Sequence, residues 1–241
     1  MRHGAQRYLA IYAGVLTVVF VATVLSGYAG KGGKAQFEEL TVERLNLIEP
    51  DGTLRLVMSD RAHFPGAIVR GHEYAHPRAD AGLLFYNDEG TEDGGLVFSG
   101  HRDSSGRVVD AGGSLTFDQY EQDQLVQLIG QHDGDGHTAG LIVSDRPERP
   151  IQQDLEELPK IAALPEAERQ ALMAQRRTGH YYGSNRISVV RGTDGVATVS
   201  LRDAEGRARL VLGVAADGSA SVRFLDAQGR VQRELTPVQR P

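Results

Sequence analysis

The chain has 241 residues, 40% of them apolar, and a formal net charge of −6. It holds no Cys and no Trp, and aromatics reach only 6%. That composition excludes disulfides and thiolate-bound metal, and it argues against a surface that stacks bases or sugars, so no nucleic-acid partner is expected.

Charge is unevenly spread: residues 1–175 carry a balance of −11 and residues 176–241 a balance of +5. The cations of the second segment are all Arg, and within its strands they alternate with apolar residues. This is the pattern of a solvated sheet face rather than of a polyanion-binding tail.

Residues 1–7 form a short tail with Arg2 and Arg7. Residues 8–30, YLAIYAGVLTVVFVATVLSGYAG, contain no charge. About 22 residues at a helical rise of ~1.5 Å cover ~33 Å, matching the hydrocarbon thickness of a bilayer, so the run predicts one transmembrane helix. Gly27 and Ala29 offer small residues for cleavage, but the run exceeds the ~7–15 apolar residues of a signal peptide. The expectation is a retained signal-anchor in the bacterial inner (cytoplasmic) membrane, with the lipid bilayer as partner of residues 8–30. Lys31, Lys34 and Arg44 nearly balance the basic tail. The shortness of that tail places it in the cytoplasm and the carboxyl-terminal part in the periplasm.

Residues 31–36 read as a flexible linker and 37–146 as a β-rich domain. Within it an acid or Asn is followed three residues later by Gly at Glu49/Gly52, Asn87/Gly90, Asp103/Gly106 and Asp133/Gly136; further on the pattern returns at Asp203/Gly206 and Asp226/Gly229. The first residue caps nearby amides and the Gly takes the left-handed φ of a type I turn with a G1 bulge. Residues 147–184 read as a linker with one helix at 165–177: Pro165 opens it, Glu166 and Glu168 sit at its positive end, and Gly179 follows it.

Residues 185–241 read as hairpin repeats. TDGVATVSLRDAEGRARLVLGVA from Thr193 and ADGSASVRFLDAQGRVQRELTPV from Ala216 align at a 23-residue spacing. Leu210, Leu212 and Val214 share one strand face, as do Ala220, Val222 and Phe224. Alternation of period two predicts one covered and one solvated face.

Candidate chemistry is sparse. His72-Glu73-Tyr74-Ala75-His76 matches H-E-x-x-H, a zinc motif that needs both imidazoles on one helical face. Pro77 pushes His76 out of the helical region, so an exposed loop is the better reading; Glu89 or Glu92 would be the nearest third ligand. Residues 87–93 and 133–136 are acidic hairpin tips that lack the spacing of a calcium loop. Ser99, Ser144 and Ser184 are not in G-x-S-x-G. No residue is assigned a catalytic, cofactor-binding or metal-binding role, and no cofactor is expected.

The blocks EPDGTLRLVMSD, AGLLFYNDEGTEDGGLVFSG and SLTFDQY, over residues 37–146, resemble a family of bacterial single-span membrane proteins with a β-rich domain. The resemblance implies an anchor and a β domain and carries no activity or site. The sequence thus predicts a mainly β fold, antiparallel hairpins in a meander, sandwich or open barrel with one short helix and an N-terminal transmembrane helix. The function expected is that of an envelope protein, a structural or interaction module contacting another envelope protein or the cell wall. The alternative is a membrane-tethered metal-dependent hydrolase.

Overall fold

A computed structural model describes residues 2–28, 34–134 and 136–237. The chain divides into two compact units, Met1–Thr41 and Val42–Pro241. Residues 29–33 of the expected anchor end and linker, and Asp135, lie outside the described residues.

The first unit contains α1 (Arg2–Tyr28), which begins within the stretch expected to be a tail. Its large apolar side chains from Tyr8 to Val21 are exposed wherever they are described, so apolar surface runs all round the helix. The hydroxyls of Thr17 and Thr23 donate back to the carbonyls of Ala13 and Val19, at 2.9 and 2.7 Å. Among the described residues, no helix is long and apolar enough to cross a membrane.

The second unit is mainly β. Its strands are β1 (Arg44–Ile48), β2 (Leu54–Ser59), β3 (Ala67–Val69), β4 (His72–Tyr74), β5 (Ala81–Tyr86), β6 (Glu92–Arg102) and β7 (Val108–Asp118). They continue as β8 (Gln124–Asp133), β9 (Gly136–Asp145), β10 (Ser184–Arg191), β11 (Ala197–Arg202), β12 (Ala208–Val214), β13 (Ala220–Leu225) and β14 (Val231–Leu235). Twelve of these form one antiparallel sheet in chain order, and β3 and β4 make a separate hairpin inserted between β2 and β5. The sheet passes without interruption from β9 to β10, across the helical insertion.

Turn chemistry explains the meander. Gly52, Gly90, Gly106, Gly195, Gly206, Gly218 and Gly229 all take φ between +71° and +93°. Each donates to the carbonyl three residues earlier, as Gly52 does to Glu49 at 2.9 Å, while Glu49 donates to Thr53 at 2.8 Å. Asp103 and Asp226 also accept amides two and four residues on, at 2.8–3.0 Å. The Asp133/Gly136 member of the expected series differs: these two residues are themselves the last pair of β8 and β9, leaving a two-residue connection. The turn at 119–122 has no Gly, and Glu121 takes φ +50° instead.

The insertion between β9 and β10 holds two helices, not one: α2 (Gln152–Ala162) and α3 (Glu166–Thr178). α3 is the helix expected at 165–177. α2 carries Pro159 in its interior, which removes one helical hydrogen bond and masks the helix in the sequence.

The two sheet faces differ. On one, Val57 and Leu84, at 0% and 1% exposure, pack with Tyr86 and with Ile68 of β3 to form the core, with Leu54 and Phe64 against them. On the other, register places Leu45, Met58, Leu83, Leu96, Leu115 and Leu128 side by side across the first six strands. The row continues through Leu141, Val189, Val199, Leu212, Val222 and Leu235 to the last strand. One aliphatic ladder therefore crosses all twelve strands. A parallel row two residues away includes Leu56, Phe85, Phe117, Val143, Ile187 and Phe224. The expectation that this face is covered is not met within the Val42–Pro241 unit: Leu128, Val189, Leu212 and Leu235 remain 40–48% exposed.

Candidate functional site

Two features of the second unit stand apart from ordinary sheet construction: a small polar cavity over the core face and the open ladder on the other.

The cavity forms where three turns converge. The β3–β4 turn places Arg70 at φ +49°. Its amide donates to the buried Thr91 hydroxyl at 2.8 Å, and the next amide, of Gly71, donates to Gly90 O at 3.1 Å. The Arg70 guanidinium pairs with Glu121 in the β7–β8 turn. Glu121 O accepts the Ile151 amide at 2.8 Å, and Gln122 Nε2 donates to Arg149 O at 2.7 Å. These bonds tie the segment leading into α2 to the same corner, where Leu155 of α2 is buried.

The cavity holds about 180 Å³, lined by Ile68, His76, Arg78, Glu92, Asp118 and Asp123 among others. Arg78 Nη2 donates to Glu92 Oε2 at 2.6 Å. Burial raises the Glu92 carboxyl above its usual range, and Arg78 opposes that rise. Asp118 has no such cation at hydrogen-bond distance, and its Oδ1 is buried without a partner. Burial, then the negative charges of Glu92 and Asp123, push Asp118 up to about 8. Burial and the Arg78 charge depress His76. Burial also raises the Tyr86 phenol, at the edge of this cluster.

Asp118 therefore keeps its proton to higher pH than an exposed carboxyl does, and in that form it can donate a hydrogen bond. The volume is below the ~300 Å³ of ordinary ligand pockets, and no nucleophile is poised beside the acid. The cavity reads first as a buried charge cluster.

The sequence candidates fall elsewhere. His72 and Glu73 lie in β4, an extended strand paired with β3, so the single helical face required by H-E-x-x-H does not exist. Glu73 accepts the Gly66 amide at 2.6 Å. Asn87 caps its own turn, Asp88 pairs with Arg55 at 2.6 Å, and Glu89 accepts the Tyr120 hydroxyl at 2.5 Å. Of the acids in that run only Glu92 lines the cavity, beside Thr91. Asp133 sits 3.9 Å from Arg107. Ser99 bonds Asp110 O and Ser144 bonds Asn185. Ser184 Oγ lies 3.1 Å from His180 Nδ1, but no described carboxylate bonds that imidazole. Among the described residues, no group of three or more His, Asp or Glu could hold a metal ion. Asp118 escapes the sequence reading because Glu92, 26 residues earlier, comes beside it only through the pairing of β6 with β7; its only sequence signal is an acid at the end of an apolar strand.

The ladder face is larger and of different character. Over β9–β14 it forms a trough of about 850 Å³ walled by Val189, Val199, Leu212, Val214, Val222 and Leu235, with small residues such as Ala139, Ala197 and Ala220 on its floor. Apolar, broad and without a convergent polar group, such a surface binds through area rather than chemistry.

No known protein family matches the chain, and no curated protein matches it.

Proposed function

We propose that this chain is an envelope protein of the bacterial inner membrane, anchored by residues 8–30, whose β-rich part lies outside the cytoplasm and acts as an interaction module. The observation that carries the reading is the open aliphatic ladder. A contiguous apolar face of this size is rare on a monomer left to itself and marks a site of association. The anchor rests on the uncharged run in the sequence and on α1, whose apolar side chains face outward all round and whose Thr17 and Thr23 hydroxyls are satisfied inside the helix.

Fractionation of cells making the 241-residue chain tests this. The protein is expected in the membrane pellet after alkaline carbonate washing, and removal of residues 2–28 is expected to release it. A reporter fused after Pro241 is expected to be active only outside the cytoplasm. Recovery of the intact chain in the aqueous fraction would sink the anchor, and reporter activity only inside would reverse the orientation.

A further inference from the structure

We infer that the ladder face is a homodimer interface, on which a second copy of this chain lays its own ladder to complete a two-layer sandwich. This rests on the reading of the β-rich part as an interaction module and names its partner. A sheet with one apolar face requires a second layer. The chain spends its own covering elements on the opposite face: β3 packs on Val57 and Leu84, and Leu155 of α2 lines the cavity on that side. Among the described residues of the Val42–Pro241 unit, Leu128, Val189, Leu212 and Leu235 of the ladder stay 40–48% exposed.

Size, symmetry and charge favour a second copy. Twelve strands at ~4.8 Å extend the ladder about 50 Å, and three side-chain rows make it about 16 Å tall. That is up to about 800 Å² per copy, the area of a standard stable interface. Six strands lie on each side of the β8–β9 junction. A twofold axis through the Leu128–Leu141 pair therefore lays β1–β8 of one copy on β9–β14 of the other, aliphatic on aliphatic. The ladder row carries no charge. Arg191, in a flanking row, turns its guanidinium to His137 O at 2.8 Å, and Arg233 stands on the terminal strand. Two twisted sheets pack this way at about −30° and ~10 Å apart. An acyl chain would fill the trough over β9–β14 but would leave Leu45, Leu96, Phe117 and Leu128 bare.

The chain has no Cys, so an engineered thiol is the only one present. In native membranes, Leu128→Cys is expected to give a disulfide-linked dimer on mild oxidation. Gln127→Cys, next in sequence but on the opposite face, is expected to give at least tenfold less. Leu128→Arg in the 241-residue chain is expected to convert a detergent-solubilised dimer to a monomer with its β circular dichroism retained. Equal cross-linking at both positions, or none at either Leu128→Cys or Leu141→Cys, would overturn the inference. So would a cross-link to a different protein, or a monomer that carries an acyl lipid by native mass spectrometry. A Leu128-linked dimer in the aqueous fraction would leave this interface standing and remove the anchor; a membrane-bound monomer would do the reverse.

Discussion

Replacing Asp118 by Asn should stabilise the protein, by an amount that grows as pH rises from the unfolded carboxyl's 3.8. In the folded chain this carboxyl keeps its proton up to about 8, against an ordinary value of 3.8. Between those values the folded state binds more protons than the unfolded state, so stability falls as pH rises through the window. The displacement corresponds to ~6 kcal/mol between the charged and neutral forms. Asp118 is not fully sealed from water, which reduces the working figure to ~3 kcal/mol. Raised Glu92 and Asp93 carboxyls act in the same direction. Depressed His76 acts in the opposite one: its contribution is present above pH 6.5 and is lost as pH falls through its folded value. The interval from pH 6.5 to 8 thus isolates the carboxyls. Thermal melts of the 241-residue chain in neutral detergent, followed by far-UV circular dichroism, should show Asp118→Asn near wild type at pH 3.5, below the ordinary 3.8 of the unfolded carboxyl, and already above wild type at pH 5. At pH 8.5 the variant should melt ~6–12 °C higher, at ~2–4 °C per kcal/mol for a unit of this size. A variant that melts at or below wild type at pH 8.5, while matching it at pH 3.5, would refute the idea that ionising Asp118 opposes folding.

Other expectations can be read from the same melts. Leu84→Ala should cost about 3 kcal/mol, since the side chain is 1% exposed inside the core cluster; a loss under 1 kcal/mol would mean that β3 does not hold that face. Gly229→Ala should cost only about 1 kcal/mol, for a left-handed φ of +78° with open space around the new methyl. Gly82→Ala should be far worse, because its Cβ would stand 2.1 Å from Leu96 O in the neighbouring strand; similar losses for the two would contradict the pairing of β5 with β6. Arg78→Met should raise the Glu92 carboxyl further and deepen the alkaline loss of stability, and an unchanged pH profile would show that the 2.6 Å pair does not form.

What was legible in the sequence was local. Five of the six expected acid-x-x-Gly turns appear where their spacing put them, because Asp or Asn capping and a left-handed Gly are decided within four residues. The two 23-residue units likewise become β11–β12 and β13–β14, with Leu210, Leu212 and Val214 on one face. What was not legible was collective. Alternation says that a strand has an apolar face but not whether the chain has anything left to cover it. The twelve-residue ladder exists only once the register is known. The H-E-x-x-H match misleads because a motif specifies residue types while Pro77 and the β3–β4 pairing specify conformation. Asp118 owes its behaviour to burial first and then to the charges of Glu92 and Asp123, which only the folded hairpins bring beside it.

In the sheet almost every strand bonds to those just before and after it in the chain. Apart from the insertions between β2 and β5 and between β9 and β10, such an arrangement closes short loops, so it can grow strand by strand from a hairpin that forms first. It also has no fixed length: inserting another copy of the Asp203-to-Asp226 period would add a strand pair at the β14 margin without disturbing its predecessors. A lineage could therefore lengthen or shorten the molecule's reach by duplicating a short stretch of DNA, while the machinery near β3 and α2 stayed as it was.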